Sequence, residues 1–409
     1  MAIFWAFGKY VMYYKPFNTK MLLNYRNRFL SYSSYNFSTL NDKKSQSLYH
    51  YLYSKILACG PITIHDYMKE ILTHPNAGYY MNKDVFGKQG DFTTSPEITQ
   101  LFGEVSIWMK YESQKISKGP FQIVELGPGR GTLIKDILRV YKQFRSLNNI
   151  SVHLVEISPT LSLIQAKNLC KTITEYDTKI NESKSNPINY YREGITEDEI
   201  KIYWYNSIKD VPRNFSIFLA HEFFDALPIH KFQIDEKREH VEISPESLVI
   251  VDYIANFLWE CGGFALICDY GHNGDKTDTF RGFSQHKIHD PLLYPGIADL
   301  TADVDFAAIK KIAEKDDRLI TFGPVTQSNF LQNLGIDLRL QMLLQNTSEE
   351  RKKSLQTGYH MIMDEDKMGT RFKVLSLFPS VLKEYFEKVP VAGFLPKTSN
   401  IKLDSIQMY

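Results

Sequence analysis

Acidic residues are missing from the first forty positions of this chain; the first is Asp42. Cysteine is scarce. Cys59, Cys170, Cys261 and Cys268 lie scattered over 409 residues. No two of them form a C-x-x-C pair, which argues against a zinc site and a disulfide framework and for a reducing compartment. No run of eighteen apolar residues occurs, so no membrane-spanning helix is expected. A charge excess is lacking as well, with a net +1 from 48 basic and 47 acidic residues. Without a basic face, nucleic acid is not expected as the main partner. What is present is an apolar reserve, 43% hydrophobic and 13% aromatic. That suffices for two folded units or one elaborated α/β domain.

The acid-free segment carries Lys9, Lys15, Lys20, Arg26 and Arg28, then Ser31, Ser33, Ser34 and Ser38. An Arg-bearing, Ser-rich, acid-poor start has the composition of a mitochondrial transit peptide, expected here over residues 1–40. Met21 is a candidate start within it. Lys9 and Lys15 interrupt the apolar stretch and no A-x-A site follows, which disfavours a secretory signal.

The chain is organised around Phe121-Gln-Ile-Val-Glu-Leu-Gly-Pro-Gly-Arg-Gly-Thr-Leu133. Ile123 to Leu126 reads as a buried parallel strand. Gly127, Gly129 and Gly131 form a turn, and Leu133, Ile134, Ile137, Leu138 and Tyr141 fall on one face of a following helix. Strand, glycine turn and helix open the ligand crevice of a doubly wound α/β fold. A dinucleotide turn reads G-x-G-x-x-G; this one reads E-x-G-x-G-x-G. A carboxylate at Glu125 suits S-adenosylmethionine (AdoMet), which carries a cationic sulfonium and no phosphate. The competing reading is a tight strand–helix turn without a ligand.

Residues 45–118 read as an α-rich lead-in. It contains a loop, Gly90-Asp-Phe-Thr-Thr-Ser-Pro-Glu97, in which Ser95 is placed to cap a helix starting at Pro96. This loop is either surface or a flap over the cofactor, with Thr94 and Ser95 in it. The AdoMet-binding core is expected over 119–275. Its second strand, Val152–Val155, ends in Glu156, where such folds hold the ribose hydroxyls. Residues 171–200 read as a solvated excursion, followed by a strand at Ile202–Tyr205, and Ser207–Asp210 falls near the adenine by topology.

Phe215–Ala220 is a strong strand ending in His221-Glu-Phe-Phe-Asp225. No second His follows at the zincin spacing, so no metal is expected. Strand ends face the crevice, which assigns Glu222, Phe224 and Asp225 to the reacting centre. Residues 276–380 read as substrate-side loops, helices and a final strand pair, Leu319–Phe322 with Phe372–Leu377. Arg281, Asp299 and Asp303 are candidates for the substrate mouth, and 381–409 reads as a C-terminal tail.

Several motifs together resemble one family. They are Gly60-Pro-Ile, His65-Asp-Tyr-Met68, Gly90–Glu97, Val124–Leu133, Leu219-Ala-His-Glu-Phe-Phe-Asp-Ala-Leu-Pro228, Asp269-Tyr-Gly-His272 and Leu300-Thr-Ala-Asp-Val-Asp-Phe306. Over residues 45 to 378 the chain resembles the MidA family, the mitochondrial complex I assembly-factor arginine methyltransferases. The resemblance implies a class I AdoMet-dependent methyltransferase fold, Rossmann-like with a mostly parallel sheet. It also implies a mitochondrial matrix location and symmetric dimethylation of an arginine in a complex I core subunit. One departure stands out: Gln233 runs almost directly into His240-Val-Glu242, where the family carries a longer stretch. Because a guanidinium stays protonated near neutrality, a carboxylate is needed to localise its charge and take its proton. Glu222 is the first candidate and Asp225 the second, with Phe223 or Phe224 stacking on the guanidinium plane. A small-molecule or RNA methyltransferase on the same fold, and a non-catalytic AdoMet-binding assembly chaperone, are the alternative functions.

Overall fold

The computed structural model describes residues 43–82, 84, 95–98, 104–148, 150–176, 189–234, 239–345 and 347–395. The expected transit segment and Thr94 lie outside them. The lead-in comprises α1 (Lys43–Cys59), α2 (Ile64–Thr73), the short α3 (Ser95–Ile98) and α4 (Glu104–Ile116). The core then runs β1 (Phe121–Leu126), α5 (Thr132–Gln143), β2 (Ile150–Val155), α6 (Pro159–Leu169), β3 (Thr172–Glu175), β4 (Arg192–Ile195), β5 (Lys201–Tyr205) and β6 (Ser216–His221). It continues with the hairpin β7 (His230–Ile234) and β8 (Glu239–Ile243), then α7 (Pro245–Cys261) and β9 (Gly263–His272). A substrate-side region follows: β10 (Arg281–Ser284), β11 (Lys287–His289), β12 (Asp299–Thr301), β13 (Val304–Asp305) and α8 (Phe306–Ala313). The chain closes with β14 (Leu319–Thr326), α9 (Gln327–Asn333), α10 (Ile336–Gln345), α11 (Glu349–Met363), α12 (Met368–Arg371), β15 (Phe372–Pro379) and α13 (Lys383–Lys388).

The main sheet has the order β14-β15-β9-β6-β1-β2-β5-β4-β3. Its centre, β9-β6-β1-β2-β5, is parallel throughout. β15 inserts antiparallel between β9 and β14. This is the class I Rossmann-like methyltransferase architecture. The strand order reverses at β1, whose neighbours are β2 and β6, so the carboxyl ends of these three strands border the crevice. Ile123, Val124 and Leu126 are buried, as parallel strands covered on both faces require. One face packs on α4, α5 and α6 through Trp108, Ile134, Ile137 and Ala166. The other packs on α7 and α8 through Ile254, Phe257 and Ile309.

The lead-in forms its own cluster, in which Leu48, Leu52, Met68, Ile71 and Tyr79 pack with Ile229 and Leu300. It also grips the crevice rim. Ser158 donates to the carbonyl of Tyr80 at 2.6 Å and Thr160 to that of Met81 at 3.1 Å. Arg130 of the glycine turn pairs with Asp84 at 3.2 Å.

Several sequence readings change here. The excursion at 171–200 contains β3 and β4, which extend the sheet antiparallel beyond β5. All four residues of β3 are exposed, so an edge strand carries the polarity of a loop. The stretch read as irregular loops after Asp278 holds a three-stranded antiparallel sheet, β11-β10-β12. The shortened segment after Gln233 still makes a hairpin, with His230 opposite Ile243 and Gln233 opposite His240. Part of the stretch read as a tail belongs to the core. Phe386 and Val391 are buried, and the Trp108 indole donates to the carbonyl of Ala392 at 2.9 Å.

Candidate active site

The glycine turn is built from three left-handed residues, Gly127, Gly129 and Gly131, with φ of +60°, +54° and +78°. Only glycine adopts that conformation without strain. Gly131 is also the N-cap of α5. A Cβ on Gly127 would sit 2.8 Å from the ring of Phe223, so this turn and the β6 exit turn are in contact.

The β6 exit turn has an unusual backbone. Glu222 takes φ +51°, in the left-handed region, which a residue other than glycine enters at a cost. What holds it is Asp269, fully buried on β9. Asp269 Oδ2 accepts the backbone N–H groups of Phe223, Phe224 and Asp225 at 3.1, 2.9 and 3.3 Å. Its Oδ1 accepts from Tyr270 N at 2.9 Å. Burial, then the charges of Asp225 and Glu222, push the Asp269 carboxyl well above the usual carboxylate range, while its backbone N–H partners pull the other way. Every one of those partners is a donor, so the anion is the form that the geometry fits.

Glu222 is almost fully covered and its Oε1 accepts the backbone N–H of Ser95 at 3.2 Å. Ser95 and the expected reacting carboxylate therefore meet. Ser95 itself is the first residue of α3. Beside Glu222, His221 is held neutral, its pKa lowered by burial to about 3.

Asp225 plays a different part. Its Oδ2 accepts the Thr301 hydroxyl at 2.8 Å and its carbonyl accepts Ala302 N at 3.1 Å. It ties β12 to the β6 exit. Burial raises its carboxyl, opposed by the Thr301 hydrogen bond and the Arg281 charge. Arg281 pairs with Asp303 at 2.7 Å and lies over Tyr270 and Phe283. Burial works against ionisation of Asp303, but Arg281 and Lys276 hold its carboxyl below the usual range. Asp299 is buried and accepts the Tyr80 hydroxyl at 2.7 Å.

Phe224 departs from its expected place. It is buried in the core beneath α7, which leaves it no face for a guanidinium. Phe223, its neighbour, is the ring that reaches the glycine turn. A run of two phenylalanines at a strand exit gives no sign of which one turns inward.

The cofactor residues fit AdoMet by two tests. A turn with three left-handed glycines leaves backbone open to a ligand. Glu125 is buried and its Oε2 has no hydrogen-bond partner among the described residues; burial alone pushes its carboxyl up to about 8. A buried carboxylate oxygen without a partner is costly and favours a nearby cation. Glu156, also buried, accepts from Ser158 N at 2.7 Å and Gln165 Nε2 at 3.0 Å. Burial raises it to about 7, against those two bonds. Ile208–Asp210, expected near the adenine, forms a 3-10 turn just after β5. Among the described residues, no group of three His, Cys, Asp or Glu side chains is placed to hold a metal, and no helix is long and apolar enough to cross a membrane.

A pH dependence follows from Glu125. In the cofactor-free protein this carboxyl is protonated below about pH 8. A cationic ligand favours the ionised form, so binding releases a proton and strengthens as pH rises. AdoMet affinity is expected to rise between pH 6 and 7.5, by up to about tenfold per unit for each linked carboxyl. Glu125→Gln should remove one proton from this linkage, counted by calorimetry in buffers of different ionisation enthalpy. An unchanged proton count would detach Glu125 from the site.

Known proteins share this chain's pattern. The chain matches the family described as S-adenosyl-L-methionine-dependent methyltransferase over residues 104–240 and 235–325. It is 44% identical over 392 residues to the mitochondrial protein arginine methyltransferase NDUFAF7 homolog of Drosophila melanogaster, covering 85% of this chain and 88% of that protein. It is 45% identical over 399 residues to mitochondrial NDUFAF7 of Danio rerio, covering 86% and 92%. It is 44% identical over 375 residues to that of Homo sapiens, covering 81% and 83%. In fold it is similar to the crystal structure of a superfamily member from Burkholderia thailandensis bound to S-adenosyl-homocysteine. The TM-score is 0.62 at 20% identity, over 83% of this chain and 93% of that one.

Proposed function

Because the chain belongs to the family of mitochondrial NDUFAF7 protein arginine methyltransferases, we propose that it transfers methyl groups from AdoMet to a protein arginine. We further propose that it produces symmetric dimethylarginine on a core subunit of respiratory complex I, in the mitochondrial matrix. One observation carries the catalytic part of this reading. The β6 exit turn touches the glycine turn through Phe223 and Gly127 and presents Glu222 to the flap at Ser95. The glycine turn, Glu222 and Ser95 lie together at the carboxyl ends of the strands, which supports this reading.

Bound there, AdoMet supplies an electrophilic methyl on a sulfonium. Glu125, Gly127, Gly129, Gly131 and Glu156 would hold it, with Ser95 beside the reacting acid. Glu222 pairs with the substrate guanidinium and localises its charge. Transfer would form the nitrogen–carbon bond as the sulfur–carbon bond breaks, and Glu222 would accept the proton that the nitrogen loses and release it once the product leaves. Phe223 stacks on the guanidinium plane. Asp269 fixes the turn, and Asp225 braces it against β12.

The substrate and the compartment are tested together. Cells lacking the protein should lose the symmetric dimethyl mark on a complex I core subunit, read by mass spectrometry. The full chain should restore it; a chain starting at Met after removal of residues 1–40 should not, because it stays outside mitochondria. A mark that persists without the protein would sink the substrate assignment. Full restoration by the shortened chain would refute import by that segment.

A further inference from the structure

Helix α6 touches both halves of the cofactor site. Its residue Gln165 is fully buried. Gln165 Nε2 donates to the carbonyl of Gly129 at 2.7 Å and to Glu156 Oε2 at 3.0 Å. Its Oε1 accepts the Trp204 indole N–H at 2.9 Å. Both amide hydrogens and the carbonyl are therefore engaged. The Trp204 bond fixes the amide's orientation, since a flipped amide would face donor to donor. Trp204 is itself buried on β5, so the amide is anchored to the sheet. Two more contacts seat α6 on the same turn. Asn168 donates to the carbonyl of Arg130 at 3.1 Å, and a Cβ on Gly131 would meet Leu169 at 3.1 Å.

The consequence is geometric. Glu156 leaves β2 and the glycine turn leaves β1, and one side chain bridges them. We propose that Gln165 is a positioning residue for cofactor binding. It fixes the Glu156 carboxylate relative to the glycine turn, so that the ribose hydroxyls meet an acceptor already in place. This rests on the reading of Glu156 as the ribose acid. Gln165 acts through Glu156, and the affinity that it supports therefore depends on the ribose hydroxyls being present.

The test uses the full-length protein, calorimetry and two ligands, S-adenosylhomocysteine and its 2′,3′-dideoxyribose analogue. Gln165→Met keeps the volume and removes every hydrogen bond. It should weaken S-adenosylhomocysteine by about 10- to 100-fold, the range for a hydrogen bond to a charged group. The dideoxy analogue should weaken by no more than about threefold, and kcat at saturating AdoMet should stay within about twofold. Gln165→Glu, which retains the acceptor for Trp204, should show the same ligand-dependent loss and serves if the Met variant does not fold. An equal loss for both ligands, or none for S-adenosylhomocysteine, overturns the proposal. Glu156→Gln, measured alongside, separates the two readings. If it discriminates the ligands and the Gln165 variants do not, the positioning role alone falls. If it does not discriminate them, the ribose assignment of Glu156 fails and takes the proposal with it.

Discussion

Glu222→Gln should lower methyl transfer by a factor on the order of 10² or more while leaving AdoMet affinity nearly unchanged. The amide keeps the size of the side chain and one acceptor for the Ser95 N–H, which Glu222 Oε1 accepts at 3.2 Å. It cannot pair as an anion with a guanidinium, and it takes up no proton at neutral pH. The backbone at φ +51° should not change, because Asp269 holds the N–H groups that follow it and not the Glu222 side chain. His221 cannot substitute, since burial lowers its pKa to about 3 and leaves it too weak a base. The assay is transfer of labelled methyl from AdoMet to a complex I core-subunit peptide, with the AdoMet dissociation constant measured in parallel. Near-normal turnover would remove Glu222 from the mechanism and move the base to Asp225. Loss of AdoMet binding together with turnover would recast Glu222 as a cofactor residue. Retained complex I assembly in cells carrying an inactive Glu222→Gln protein would support the non-catalytic chaperone alternative.

Gly129→Val should abolish measurable AdoMet binding, a loss of at least about 100-fold, for two additive reasons. The backbone there has φ +54°, which a β-branched residue adopts only as an outlier. The new side chain also occupies the space where a ligand approaches the turn. Strain alone would destabilise the protein by about 1–3 kcal/mol, and a control is needed to separate it from occlusion. Gly60 provides one: its φ is +86° and a Cβ there meets nothing within 4 Å. Gly60→Val should lower thermal stability comparably yet bind S-adenosylhomocysteine normally. If Gly129→Val binds as tightly as the unaltered protein, the cofactor does not lie against this turn.

The strongly patterned parts of the fold were legible in the residues alone. The run from Phe121 to Leu133 determines a strand, turn and helix because apolar burial, obligatory glycines and helical spacing agree there. The strands ending at Glu156 and His221 are legible for the same reason, as is the helix opened by Ser158-Pro159, where the Ser158 hydroxyl accepts Leu161 N at 3.2 Å. Polar or short elements were not legible. Exposed β3 looks like a loop, and β10 to β12 lie among turn residues, because an edge or surface strand is defined by its partner's hydrogen bonds and not by its own apolar pattern.

Tertiary structure alone decided which groups meet. Ser95 and Glu222 are 127 residues apart and share a hydrogen bond. Asp269 enters the sequence reading only as part of the Asp269–His272 motif, and its acceptance of three consecutive N–H groups from the β6 exit appears only when β6 and β9 pair. Gln165 is a polar position on a helix that would by default face solvent, yet it is buried between the glycine turn and Glu156. Phe223 and Phe224 are the same residue type at adjacent positions, and the direction of the chain at Glu222 sends one to the site and the other to the core. Local pattern specifies elements because burial and backbone geometry act over a few residues. Long-range hydrogen bonds between buried polar groups depend on chain crossings, which the spacing of residues in sequence does not encode.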